Sequence, residues 1–217
     1  MIEPDGAELR VLGALIEKQR TTPDAYPLSL NALRLACNQS TGREPVVDYD
    51  EATVREAIAR LVRRGWARLA SGPGSRATKY RHLLDEELSL SGPELSLLAA
   101  LMLRGAQTPG ELRVRSERLH HFPTLESLES QLESLAGRRL IVRFERRPGQ
   151  KEARWSLGEG FGAAGEDDDQ GSASSSQPAL EQAPLPHPAT LEARVGALER
   201  ELEELRGVVE RLRAGVQ

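Results

Sequence analysis

The 217-residue chain is 39% hydrophobic and 29% charged, with a formal net charge of −4, a balance that makes it globular in its bulk and suits one domain or two small ones. Cys37 is the only cysteine, which excludes a disulfide framework and a cysteine-based zinc site. No stretch approaches the roughly 18 apolar residues of a membrane span, and the acidic opening MIEPDGAELR lacks the apolar core of a signal peptide, so a cytoplasmic protein without a membrane partner is expected.

In chain order, AELRVLGALIEKQR carries Leu9, Leu12, Leu15 and Ile16 at helical spacing, and TTPDAYPLSLNALRLACNQ brings a second helix after Thr22 and Pro23. A third helix, DEATVREAIARLVRRG, turns Val54, Ala57, Ile58 and Leu61 inward. WARLASGPGSRATKYRHL then reads as two short strands around Pro73 and Gly74. The same order recurs. SGPELSLLAALMLRG opens with Ser91 and Glu94 at capping-box spacing, and TPGELRVRSERL opens with Thr108 as N-cap, Pro109 at the first helical position and Glu111 at the third. TLESLESQLESLAGRR places Leu125, Leu128, Leu132 and Leu135 on one core-facing stripe, and LIVRFERRPGQKEARWSL is a second hairpin turning at Pro148 and Gly149.

Leu61 and Leu135 correspond at an offset of 74, Thr22 and Thr108 at 86, so the first copy is expected to be longer by about a dozen residues between its second and third helices. Three helices and a hairpin, twice, predict a mainly helical α+β protein of two tandem winged-helix domains, residues 1–84 and 85–158. Residues 159–188, rich in Gly, Ser, Pro and acid, are expected to be a disordered linker. In residues 189–217, Leu191, Val195, Leu198, Leu202, Leu205, Val209 and Leu212 alternate spacings of four and three, a heptad seam that predicts a coiled-coil homodimer.

The stretches LRVLGALIEKQRTTPDAYPLSLNALRLACNQSTGREPV, LMLRGAQTPGELRVRSERLHHF and RRPGQKEARW resemble the YceH-like family of uncharacterised bacterial proteins over about residues 7 to 157. The resemblance implies two winged helices and brings no activity or site residues with it. The linker and heptad tail lie beyond it.

Nothing in the sequence points to an enzyme or a cofactor. The side chains of His120 and His121, adjacent on a helix, diverge, and no ligand cluster of metal spacing accompanies them. Cys37 has no placed base and reads as a small buried thiol. The QSTGREPVV loop offers Asn38, Gln39, Ser40, Thr41 and Arg43 for capping helix ends or for contacts. Charge divides the chain: residues 1–84 hold 13 Lys and Arg against 10 Asp and Glu, residues 85–158 hold 11 of each, and residues 159–217 hold 5 against 12. Contact with double-stranded DNA is therefore expected from the first winged helix, as in a transcription regulator or nucleoid-associated protein. Thr53 and Arg55 would face bases, with Arg60, Arg63, Arg64, Arg76, Lys79 and Arg81 on phosphates. In the second domain Glu126, Glu129 and Glu133 have the wrong sign for a groove and suit a protein partner, while Arg113, Arg115, Arg118, Arg138, Arg139, Arg146, Arg147 and Lys151 could touch a backbone without reading it. The competing expectation is a protein–protein adaptor.

Overall fold

The computed structural model describes residues 3–70, 78–145 and 152–162. The turns at Pro73 and Pro148, Arg76, the linker beyond residue 162 and the heptad seam from Leu191 to Leu212 lie outside the described residues.

Within them the chain is a mainly helical α+β structure. Its elements are α1 (Gly6–Thr21), β1 (Leu28–Ser29), α2 (Leu30–Cys37), α3 (Glu51–Arg63), β2 (Ala67–Leu69), β3 (Lys79–His82), α4 (Leu84–Glu87), α5 (Gly92–Arg104), α6 (Pro109–Ser116), α7 (Leu125–Gly137), β4 (Ile141–Phe144) and β5 (Arg154–Leu157). None of the described helices is long and apolar enough to cross a membrane. The first sheet has the order β1-β3-β2, both pairings antiparallel, and the second is the β4–β5 hairpin. Gln107 forms a bridge to Trp155 through both main-chain hydrogen bonds, N to O at 2.9 and 2.7 Å. It occupies in the second copy the place that β1 has in the first.

The internal repeat extends to individual caps. Asp5 and Ser91 cap α1 and α5, each in a reciprocal capping box with Glu8 or Glu94 at the third helical position. Asp50 and Thr124 cap α3 and α7, two helices of 13 residues in which Val54, Ile58 and Leu61 match Leu128, Leu132 and Leu135 as buried residues. Both end in a Schellman turn. Trp66 N–H bonds Leu61 O and Gly65 N–H bonds Val62 O; Leu140 N–H bonds Leu135 O and Arg139 N–H bonds Ala136 O. The left-handed residue is Gly65 at φ 80° in one copy and Arg139 at φ 58° in the other.

Three details differ from the sequence reading. The second helix begins at Leu30, capped by Ser29, because Thr22 and Pro23 start a separate 3-10 turn over Pro23–Ala25. The extra dozen residues of the first copy are consequently spread over a longer α1, a longer approach to α2 and a longer loop before α3. Leu125, at the mouth of the Leu stripe, is 37% exposed. Residues 159–162, linker by composition, form a 3-10 turn that buries Phe161 edge-on against Trp66, with ring centroids 5.5 Å apart. At Gly162 a side chain would collide with Glu3, so the first and last described residues touch.

One hydrophobic core runs through both copies. At its centre α1 and α5 lie so close that a Cβ on Gly13 would stand 3.0 Å from Leu103 Cγ and Met102 Cβ. The loop between α2 and α3 is bound from inside. Buried Arg10 donates to Cys37 O (3.2 Å) and Pro45 O (2.7 Å), and buried Arg43 donates to Ala36 O, Gln39 and Glu17. The loop is fastened to α5 by Glu44 N–H on Leu103 O at 2.9 Å.

His82, on the core side of β3, is fully buried: Nε2 lies 2.7 Å from Gln19 Oε1 and Nδ1 lies 3.4 Å from Asp85 Oδ1. Burial pushes its pKa from 6.5 down to about 4, against the opposing pull of Asp85.

Two outcomes are expected. The unfolded chain binds a proton at His82 near pH 6.5 and the folded chain only near pH 4, so this contribution is fully present above about pH 6.5 and is lost as pH falls toward 4, by up to about 1.4 kcal/mol per pH unit. Denaturant melts between pH 7.5 and 5 should show this slope, and it should flatten in His82→Gln. Arg139→Gly should raise stability by about 0.5–1 kcal/mol, the relief of left-handed strain exceeding the added chain entropy. A lowered melting temperature would contradict that.

Candidate functional site

Of the cations expected to serve a nucleic acid, some turn inward and some outward. Arg60 and Arg64, at the end of α3, face the start of α1. Arg64 Nε donates to Glu8 Oε1 at 3.0 Å, and its guanidinium lies 5.7 Å from the Trp66 ring centre. Arg60 donates to Asp5 at 2.6 Å and to Glu56 at 2.8 Å, and its Nε stands 3.1 Å from Glu8 Oε2 without hydrogen-bond alignment. Glu8 is 2% exposed, so the two arginines fasten the end of α3 to the first turn of α1. The second copy repeats the arrangement at equivalent positions. Buried Glu94 accepts from Ser134 Oγ at 3.1 Å and lies 3.7 Å from Arg138. Helix-capping and hydrogen bonds from Ser91 and Ser134 hold the Glu94 carboxyl below its usual pKa against the desolvation that would raise it.

The outward set is smaller. Along α3 the exposed residues are Glu51, Ala52, Arg55, Glu56, Ala59 and Arg63. Arg55 pairs with Glu51 one turn earlier, and its side chain remains 62% exposed. Thr53 is half-buried, its N–H bonded to the Asp50 cap at 2.8 Å. Beside the helix, the β2–β3 hairpin alternates. Ala67 opposite His82 faces the core, and Arg68 opposite Arg81 faces outward. Lys79, two residues from Arg81, projects from the same side of the strand. Arg81 also pairs with Glu86 on α4. Arg68 carried no sequence-level signal beyond its charge, and the cross-strand register is what sets it beside Arg81.

The matching stripe of α7 is acidic. Glu126, Glu129 and Glu133 stand where α3 has Ala52, Arg55 and Ala59. Glu129 and Glu133 join Glu145 and Glu152 of the second hairpin around a groove of about 1120 Å³ with Leu125 and Trp155 in its lining. Arg143, opposite Trp155 in the hairpin register, stacks over that ring with its guanidinium carbon 5.8 Å from the centre. Arg113 on α6 and Arg118 in the turn after it are exposed, whereas Arg115 donates to Gln107 Oε1 at 3.0 Å.

Cys37 is buried and its thiol is pushed up to about 12 by burial, with no nucleophilic character at neutral pH. His120 packs edge-on against Phe122, and His121 Nδ1 lies 2.6 Å from Glu117.

A family model described as protein of unknown function, DUF480, matches residues 5–150. A UPF0502 protein of Geotalea daltonii (strain DSM 22248 / JCM 15807 / FRC-32) is 47% identical over 201 residues, covering 89% of this chain and 86% of that protein. These findings agree with the YceH-like resemblance of the sequence.

Proposed function

Because the chain belongs to the DUF480 family, whose function is unknown, we propose from its geometry that it is a non-enzymatic protein that binds duplex DNA through its first repeat. In this reading residues 1–84 and 85–158 are two winged helices. The β1-β3-β2 sheet and the helix order support it for the first, and the Gln107–Trp155 bridge supports it for the second. The heptad tail makes the protein a dimer.

The observation that carries the proposal is the cationic outer face of the first hairpin, Arg68 and Arg81 in cross-strand register with Lys79 on the same side of the strand, together with the exposure of Arg55 and Arg63 on α3. A hairpin so charged follows the sugar-phosphate backbone while α3 enters the major groove. Arg60 and Arg64 act indirectly, by holding α3 in place. Fluorescence anisotropy of the full chain on a mixed-sequence duplex should give micromolar or tighter binding that weakens steeply with salt. In a triple Arg68, Lys79 and Arg81 to Ala variant the slope of log affinity against log salt should drop by about 0.9 for each phosphate that is no longer neutralised. Absence of binding at low salt would refute the reading.

The acidic groove beside α7 favours a second reading, a protein–protein adaptor whose partner presents a basic segment. Titration of an Arg- and Lys-rich peptide with an apolar anchor should then perturb tryptophan fluorescence, and Glu129→Gln with Glu133→Gln should abolish the change. An unchanged spectrum at saturating peptide would remove this reading.

A further inference from the structure

Resting on the DNA reading above, we propose that Arg55 and Glu56 determine base specificity, directing α3 to a G·C-containing step with Arg55 on guanine and Glu56 on cytosine. The exposed stripe of α3 brings them forward. Ala52 and Ala59 stand one turn before and one turn after Arg55 on the exposed side, and these two small residues leave room around it for a base edge, with Glu51 as its long neighbour. Arg55 is the long donor at the centre of that gap. Glu51 engages one of its nitrogens and restrains the guanidinium. Five N–H donors on the fork leave enough for the two acceptors, O6 and N7, that guanine presents in the major groove.

Glu56 is held in the same manner. Arg60 Nη1 donates to its Oε1 at 2.8 Å, and Arg60 is itself fixed by Asp5 and Glu8. The second carboxylate oxygen remains to accept from the cytosine N4 amino group, whereas guanine O6 or thymine O4 at that place would oppose acceptor to acceptor. Pairing with Glu51 and Arg60 limits repulsion between the stripe and the phosphates. The second repeat lacks the device, since Glu129 and Ser130 replace the reading pair and Glu126 and Glu133 replace the two alanines. Base reading is thus confined to one repeat.

The test is selection of a randomised 20-base-pair duplex pool by the full chain, beside Arg55→Ala, Arg55→Lys and Glu56→Gln. The wild type should enrich guanine at a fixed position by about tenfold or more, the range of one good bidentate contact. Arg55→Ala should lose that enrichment while still retaining duplexes through the hairpin cations. Arg55→Lys, a point charge without the fork, should keep affinity and lose most of the preference. Glu56→Gln should relax the neighbouring cytosine position. Retention of duplexes with no preferred base, or a preference unaltered in Arg55→Ala, would overturn the assignment and leave DNA binding standing. Retention of no duplex at all would overturn the DNA-binding reading, and this one with it.

Discussion

Each repeat is organised around one carboxylate. Glu8 and Glu94 occupy the third position of their helices, where they close the capping box, and from there each reaches across to the last turn of the third helix of its own copy: Glu8 to Arg60 and Arg64, Glu94 to Ser134 and Arg138. A nearly buried carboxylate is costly unless it is paired and hydrogen-bonded, so the third helix has few ways to sit on the first. That orientation sets the direction of the hairpin that follows, because the Schellman turn starts at the same residues. The arginines of α3 and its end are thereby divided, Arg60 and Arg64 turned inward to hold the helix and Arg55 and Arg63 left on its outer side.

Much of this was legible in the sequence. The capping boxes at Ser91 and Thr108, the inward residues of α3 and the two hairpins follow from short-range patterns, and tertiary packing did not alter them. The two-residue β1 was not legible, since Leu28 and Ser29 form a strand only because β3 is there to pair with them. Nor was the fate of Arg60 and Arg64. Their positions on a helical wheel suit phosphate contact as well as they suit Glu8, and only the crossing of α1 and α3 decides between them. Leu125 belongs to the Leu periodicity, yet it lies at the helix start, where the hairpin leaves a groove instead of covering it. Arg68 came into view through strand register, which charge counting does not contain.

The two copies share a scaffold and differ in the charge of their exposed stripes, balanced on α3 and acidic on α7. Val54, Ile58 and Leu61 of α3 match Leu128, Leu132 and Leu135 of α7 as buried residues, while Arg55 becomes Glu129 and Ala59 becomes Glu133. Similar packing thus coexists with different electrostatics, because solvent-facing positions are free of the constraint that fixes the core. This division is what the proposed assignment of nucleic acid to one copy and a basic protein segment to the other draws upon.

The contact between Glu3 and Gly162, with Phe161 set against Trp66 just before it, ties the segment that follows the second copy to the start of the first. Residues 3 and 162 thus lie at one spot on either side of both copies. Loss of the Phe161–Trp66 packing therefore also releases Glu3, so the first turn of α1 and the 3-10 turn at Glu159–Phe161 should exchange their amide hydrogens as a single cooperative unit.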